Sequence, residues 1–159
     1  MTPIFEVRPL TLVDAPRAVA LLAASPDDAP IRFRPDGLFR PDLALATYEA
    51  AVVGARPEWV WAIAAPAALA GAVSFVPPRA ELEWWIGAPF RGRGLAAAAL
   101  KRLLPLLAGE FGTLVAHVEA ENAASRRTAA RAGFRLIGPV LQDDRPMLRY
   151  ERPAEAKAA

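Results

Sequence analysis

Apolar and polar positions alternate with a period of two in several short runs of this chain, and with a period near 3.6 in others. Ile4 to Arg8 alternates and predicts a first strand. Thr11 stands where an N-cap belongs, Asp14 follows three residues on, and Val19, Leu21 and Leu22 supply an apolar face, so a helix is expected to about Ala24. Ser25 to Pro41 holds Pro26, Pro30, Pro35 and Pro41 and reads as one long loop, of a length that is often functional inside a domain. Leu43 to Val53 predicts a second helix, ended by Gly54. Trp59 to Ala64 and Leu69 to Val76 predict a hairpin joined through Ala65-Pro66-Ala67-Ala68, and Glu81 to Gly87 predicts the next strand. Leu95 to Leu104 predicts a helix that Pro105 should kink or end, because proline lacks an N–H and clashes with the preceding turn. Thr113 to Val118 predicts a strand, and Ala123 to Ala132 a short helix stopped by Gly133 at C′. Phe134 to Ile137 and Met147 to Glu151 predict two late strands.

The resulting order, β-α-α-β-β-β-α-β-α-β-β, predicts one mixed α/β domain over residues 1–153, with a flexible tail at 154–159. Hairpin strands come first. A β-α-β-α-β section follows, whose crossovers imply parallel pairing.

Composition narrows the chemistry. The 159 residues are 54% hydrophobic, with enough chain to bury a core. There is no cysteine, which excludes disulfides, cysteine-ligated zinc and a cysteine nucleophile. The single histidine, His117, cannot build a multi-histidine centre, so no metal is expected. A formal charge of +2 is too small to indicate a nucleic-acid partner, and an RNA-binding reading lacks exposed aromatics between the arginines. Met1 to Leu10 includes Glu6 and no long apolar core, which does not fit a signal peptide. Pro66, Gly71 and Pro105 break the most apolar stretches, so no membrane span is expected and a cytoplasmic location is.

The strongest chemical signal is Arg91-Gly92-Arg93-Gly94-Leu95-Ala96, between a predicted strand and a predicted helix. A glycine-rich turn there presents backbone N–H groups at the positive end of a helix dipole, which is a phosphate cradle, and the two arginines add charge-assisted donors. Downstream, Asn122-Ala123-Ala124-Ser125 opens the short helix and Ala132-Gly133-Phe134 closes it.

Taken together these residues resemble the GNAT superfamily of N-acetyltransferases. Its acyl-CoA motif, Arg/Gln-x-x-Gly-x-Gly/Ala, is matched by Arg91, Gly94 and Ala96. Glu81-Leu82-Glu83-Trp84-Trp85, with Asn122, Ser125, Gly133 and Phe134, is similar to the RimJ/RimL-type ribosomal-protein acetyltransferase branch. The resemblance covers roughly residues 4–151. It implies the GNAT fold, a central mixed sheet of six to seven strands flanked by about four helices. It also implies acetyl-CoA as acyl donor and direct attack on the thioester by an amine, from either a small molecule or a protein N-terminus. By the same resemblance, Arg91 to Ala96 seat the pyrophosphate, backbone near Trp84, Trp85 and Ile86 bonds the pantetheine and polarises the carbonyl, Asn122 bonds the pantetheine, and Ser125 lies near the sulfur. Members are monomers or homodimers, and an inert member would be an acyl-CoA-binding module without transfer.

Many members carry a tyrosine four residues before the glycine of Gly-Phe, as acid for the thiolate; that position here is Ala129. Ser125 is the remaining candidate, as a hydrogen-bond donor to a sulfur that water protonates. Glu81 and Glu83, two apart on a strand, face the same way and are candidates to hold a proton-accepting water or the incoming ammonium. An α-amine with pKa about 7.8 is roughly a seventh neutral at pH 7, whereas a lysine near 10.4 is under about 0.1% neutral, so an α-amine acceptor needs little base catalysis. His117 reads as a satisfied sheet histidine, Trp59, Trp61, Trp84 and Trp85 as core, and Arg126, Arg127 and Arg131 as a solvated helix face. Trp85 also stands as a candidate for the acceptor pocket, and Arg32 and Arg34 for its entrance.

Overall fold

The computed structural model describes residues 4–154. The tail expected beyond Pro153 therefore falls, apart from Ala154, outside the described residues. Seven strands form one sheet in the order β1-β2-β3-β4-β5-β7-β6. They are β1 (Glu6–Pro9), β2 (Trp59–Ala65), β3 (Ala68–Val76), β4 (Glu81–Ile86), β5 (Leu114–Glu119), β6 (Arg135–Gln142) and β7 (Arg145–Arg152). All neighbours are antiparallel except β4 and β5, which run parallel. The helices are α1 (Asp14–Ala24), α2 (Pro41–Val52), α3 (Leu95–Phe111) and α4 (Ala123–Arg131). This is the expected element order and fold class.

Strand alternation sorts the core into two layers. Val60, Ala62, Ala64, Ala72 and Trp85 point to one face, where α1 and α2 bury Ala15, Ala18, Leu22, Ala44 and Tyr48 against them. Ile63, Val73, Phe75, Leu82 and Ala116 point to the other, beneath Leu100, Leu103, Leu104 and Leu107 of α3 and Ala129 of α4.

Local chemistry explains the element ends. The Asp14 N–H donates to Thr11 Oγ1 at 3.3 Å while the Thr11 N–H donates to Asp14 Oδ2 at 2.9 Å, a reciprocal cap with aspartate in the usual glutamate role. Gly133, at φ +91°, terminates α4 as expected.

Four expectations need correction. Pro105 does not end its helix, which continues to Phe111. Leu103, Leu104, Leu107 and Ala108 stay buried across the proline while Lys101, Pro105 and Leu106 face outward, so packing holds the helix and the proline, which cannot donate to the Lys101 carbonyl, sits on the solvent side. Pro41 does not close a loop but opens α2 at N1, where its missing N–H costs nothing. The loop itself contains 3-10 turns at Pro26–Asp28 and Ile31–Phe33, the second anchored by buried Phe33. The last two strands form a longer hairpin than expected, and β7 inserts between β5 and β6, so only the β4-α3-β5 crossover yields a parallel pair.

Candidate active site

β4 and β5 are paired only at Glu81 with Val115 and at Leu82 with Ala116. Past that point each strand follows its other neighbour: β4 stays with β3 as far as Ile86, and β5 stays with β7 as far as Glu119. The sheet therefore splits in its middle. A cavity of about 980 Å³ occupies the split and reaches the turn before α3, the start of α4 and the chain between α1 and α2.

The α3 end is built as expected of an anion site. Gly92 and Gly94 have φ of +78° and +70°, a left-handed conformation in which only glycine is unstrained, and no atom lies within 4 Å of where a Cβ would stand on either. The first helical bond runs from the Ala98 N–H to the Gly94 carbonyl, so the N–H groups of Leu95, Ala96 and Ala97 precede the intrahelical ladder. Arg91 is a strut: its Nε donates to the Ile86 carbonyl at 3.0 Å and its Nη1 pairs with Asp28 at 2.9 Å. Arg93 rests over the Phe90 ring at 5.8 Å.

Backbone direction along β4 follows from two bonds. The Gly87 N–H donates to the Ala70 carbonyl on β3 at 2.7 Å, while the Ile86 carbonyl turns the other way, to Arg91. Alternation then aims the N–H groups of Ile86 and Trp84 into the split and those of Trp85 toward β3. Trp85 contributes instead by its side chain, buried against α2 with its Nε1 donating to Tyr48 Oη at 2.8 Å. Trp84 packs on Phe134, and its Nε1 is buried with no partner among the described residues. Trp59 and Trp61 lie away from the cavity, edge to face with one another.

Asn122 caps α4, its Oδ1 accepting from the Ser125 N–H at 3.0 Å. Both residues line the cavity. Arg126 reaches back to Tyr150 Oη at 3.2 Å, and Arg127 is exposed.

The carboxylates lie on the face covered by α1 and α2, and both Glu81 and Glu83 line the cavity. Arg32 binds Glu58 through two bonds of 2.7 and 2.9 Å and reaches Glu83 at 3.0 Å. Arg34 pairs with Glu119 at 2.6 Å, and Arg145 donates to the Pro35 carbonyl at 2.8 Å. The arginines expected at the acceptor entrance thus tie the chain between α1 and α2 onto the split. Burial pushes the Glu83 carboxyl above its ordinary range, Arg32 opposes, and the nearby Glu58 reinforces the rise. Burial acts the same way on Glu81, but hydrogen bonds and charge from His117 and Arg79 outweigh it and hold that carboxyl below its ordinary range. Glu58 was missed by sequence reasoning. Its signal was parity: it shares the inward register of Val60 and Ala62, and an acid at such a position needs a buried partner.

A glycine-built helix start beside a strand with inward-facing backbone is what the acyl-CoA motif implies, and the family model for an acetyltransferase (GNAT) domain matches residues 5–135. The chain belongs to the GNAT acetyltransferase family. No curated protein matches the sequence of this GNAT domain significantly. Solved structures do match its fold. RimL, described as a ribosomal L7/L12 alpha-N-protein acetyltransferase in complex with coenzyme A, superposes with TM-score 0.77 and 20% identity over 99% of this chain and 97% of that one. An acetyltransferase from Salmonella typhimurium, described as modifying the N-terminal serine of ribosomal protein L7/L12, gives TM-score 0.74 and 19% identity over 98% and 97%. The microcin C7 self-immunity acetyltransferase MccE, in complex with acetyl-CoA and AMP, gives 0.72 and 20% over 93% and 92%. These likenesses are of fold.

Proposed function

We propose that this GNAT domain transfers the acetyl group of acetyl-CoA to a primary amine by direct attack, with a peptide or protein α-amine favoured over a small-molecule amine. The observation that carries the reading is continuity. One cavity joins the helix-start anion site, the inward-facing β4 backbone and the Glu81–Glu83 carboxylates. The residues fit the co-substrate at each end. The Gly92 to Ala96 stretch offers N–H groups ahead of the helical ladder for a pyrophosphate, and the Trp84 and Ile86 N–H groups lie along the split where a pantetheine arm bonds as an added strand. A donor from β4 also polarises the thioester carbonyl.

In the transfer the amine nitrogen bonds to the carbonyl carbon, the carbon–sulfur bond breaks, and the thiolate takes one proton while the nitrogen loses one. Asn122 and Ser125 stand at the sulfur end, with Ser125 as hydrogen-bond donor to the departing thiolate. Glu83 receives the ammonium before it is deprotonated, because its charge is shared with Arg32 and further compensated by a cation in the cavity. We assign the reaction to residues 1–153 acting as one unit, as monomer or homodimer, in the cytoplasm.

Calorimetry with acetyl-CoA, followed by thiol release over a panel of amines and free-N-terminus peptides, tests the reading. Micromolar binding with amine-dependent thiol release is expected. Binding without release by any acceptor makes the protein an acyl-CoA-binding module instead.

A further inference from the structure

His117 occupies a position that the reaction above leaves unused. It is the first residue of β5 beyond the last pair with β4, at the apex of the split, and it lines the cavity with its side chain 14% exposed. Its Nδ1 lies 2.8 Å from Glu81 Oε1. That carboxylate is itself fixed from two further directions, by Arg79 Nε at 3.0 Å and Gln142 Nε2 at 3.4 Å. A carboxylate acceptor on Nδ1 makes that nitrogen the one carrying the proton in the neutral ring, which leaves the lone pair on Nε2. Among the described residues nothing else hydrogen-bonds to the ring. The expectation of a satisfied sheet histidine thus accounts for one of its two nitrogens.

We propose that His117, oriented by Glu81, is the general base that takes the proton of the attacking amine. The proposal rests on the acetyl-transfer reading. Glu81 then acts through the histidine as a positioning residue, and its three hydrogen-bond donors explain why it is not itself the base. The step balances. As the nitrogen–carbon bond forms, the nitrogen's proton moves to Nε2; the thiolate that leaves takes a proton from water, and the imidazolium returns its own to solvent. An imidazole is an intrinsically stronger base than a carboxylate, which suits a free ring nitrogen in the cavity to this task.

The charged groups facing the ring come from every neighbouring strand. Glu81 and Glu83 lie on β4, with Arg79 in the turn before it; Glu119 lies two residues on along β5; Arg149 lies directly across on β7. Arg149 is engaged by Glu151 at 2.9 Å, Glu119 by Arg34 at 2.6 Å and Glu83 by Arg32 at 3.0 Å, and Glu81, whose other oxygen is held by Arg79 at 3.0 Å, is the carboxylate in contact with the ring.

The chain's single histidine makes the test direct, since its imidazole nitrogen signals need no assignment among rivals. The experiment combines nitrogen-15 NMR of the free protein with steady-state kinetics on amines of differing pKa. The neutral ring should carry its proton on Nδ1. The kcat profile should show an acidic limb that stays at one pH across the amines. His117→Gln should remove that limb and lower kcat about 10²-fold, with acetyl-CoA affinity changed less than about twofold and the fold intact by circular dichroism; His117→Asn substitutes if the glutamine variant does not fold. A neutral ring protonated on Nε2, or a folded variant that keeps both limb and kcat, overturns the proposal. Lack of thiol release by the unsubstituted protein with every amine overturns the transfer reading itself, and is told apart because it appears before any substitution.

Discussion

Arg32 donates to Glu83 at 3.0 Å from the chain between α1 and α2, while the same guanidinium holds Glu58 at 2.7 Å. Glu58 is almost wholly buried, with a side chain 1% exposed, so Arg32 is its main compensation and Arg56, at 3.3 Å, a partial second. Removing one partner of a buried pair costs more than the pair contributes, because the survivor stays desolvated. Arg32→Gln should therefore destabilise the protein by about 2–4 kcal/mol, read from urea unfolding. Adding Glu58→Gln should recover part of that loss, as a double-mutant cycle would show. Because Arg32 also carries the loop that borders Glu83, the acceptor KM should rise more than that of acetyl-CoA. Additive effects of the two substitutions would mean that Arg32 and Glu58 do not act as a unit.

Gly94→Glu should abolish acetyl-CoA binding without unfolding the chain. The open space beside Gly94 leaves the new side chain free of clashes within the protein, so the folding cost is the left-handed backbone at φ +70°, about 1–2 kcal/mol. The negative charge, however, enters the anion site at the head of α3. Gly94→Ala carries the same backbone strain without the charge and should bind with much smaller loss. A folded Gly94→Glu protein with unchanged acetyl-CoA affinity by calorimetry would remove the pyrophosphate from this turn.

The parts legible in the sequence were those in which local pattern and tertiary packing agree. The Gly92–Gly94 turn, the Asn122 and Gly133 ends of α4 and the alternation of β2, β3 and β4 each carry their own local signal. Pro105 and Pro41 misled because proline reports only what its own backbone cannot do. It does not report whether buried leucines on the flanking turns outweigh that, or whether the position is a helix start. The Arg32–Glu58–Glu83 cluster was only half visible, since its members lie 26 and 51 residues apart in sequence and meet only after the sheet has formed. The division of labour between Glu81 and Glu83 was invisible for the same reason. The two are equivalent by strand parity, and only their partners, His117 and Arg32, separate them.

Ser125→Ala should lower kcat by about 10-fold or more while leaving acetyl-CoA affinity within about twofold, because a donor to a developing thiolate acts mainly in the transition state. Its backbone N–H remains on Asn122 Oδ1, so the helix start survives. Asn122→Ala has a second effect, loss of the cap, worth about 1 kcal/mol of stability. The two variants should therefore separate in thermal unfolding. Equal turnover of Ser125→Ala and the unsubstituted protein would return Ser125 to a structural role.

Asp14 links stability to pH. It accepts two bonds from Arg8, at 2.6 and 3.0 Å, and two from Thr11, and these outweigh burial to hold its carboxyl at about 2 against an ordinary 3.8. A depressed carboxyl contributes stability that is fully present above its unfolded pKa and is lost as pH falls through the folded one. The contribution should fade between about pH 4 and pH 2, by about 1–2 kcal/mol once the exposure of Arg8 is allowed for. Asp14→Asn should flatten that part of the profile in urea unfolding at stepped pH. An unchanged slope would show that the pair does not set acid stability.

Pro105→Ala tests how α3 tolerates its proline. A helix-interior proline costs about 3 kcal/mol relative to alanine, and the unfolded chain returns about 1 kcal/mol of that by being less flexible with proline present. At this exposed position alanine meets no neighbour it must displace, and it restores the hydrogen bond to the Lys101 carbonyl. Stability should rise by about 1–2 kcal/mol, read as a higher urea midpoint with unchanged slope. The start of α3 lies at the anion site, three turns of helix from the change, so acetyl-CoA affinity should stay the same. A loss of stability would mean that the helix is already bent to suit the proline, and that the buried Leu103, Leu104 and Leu107 are packed around that bend and not in spite of it.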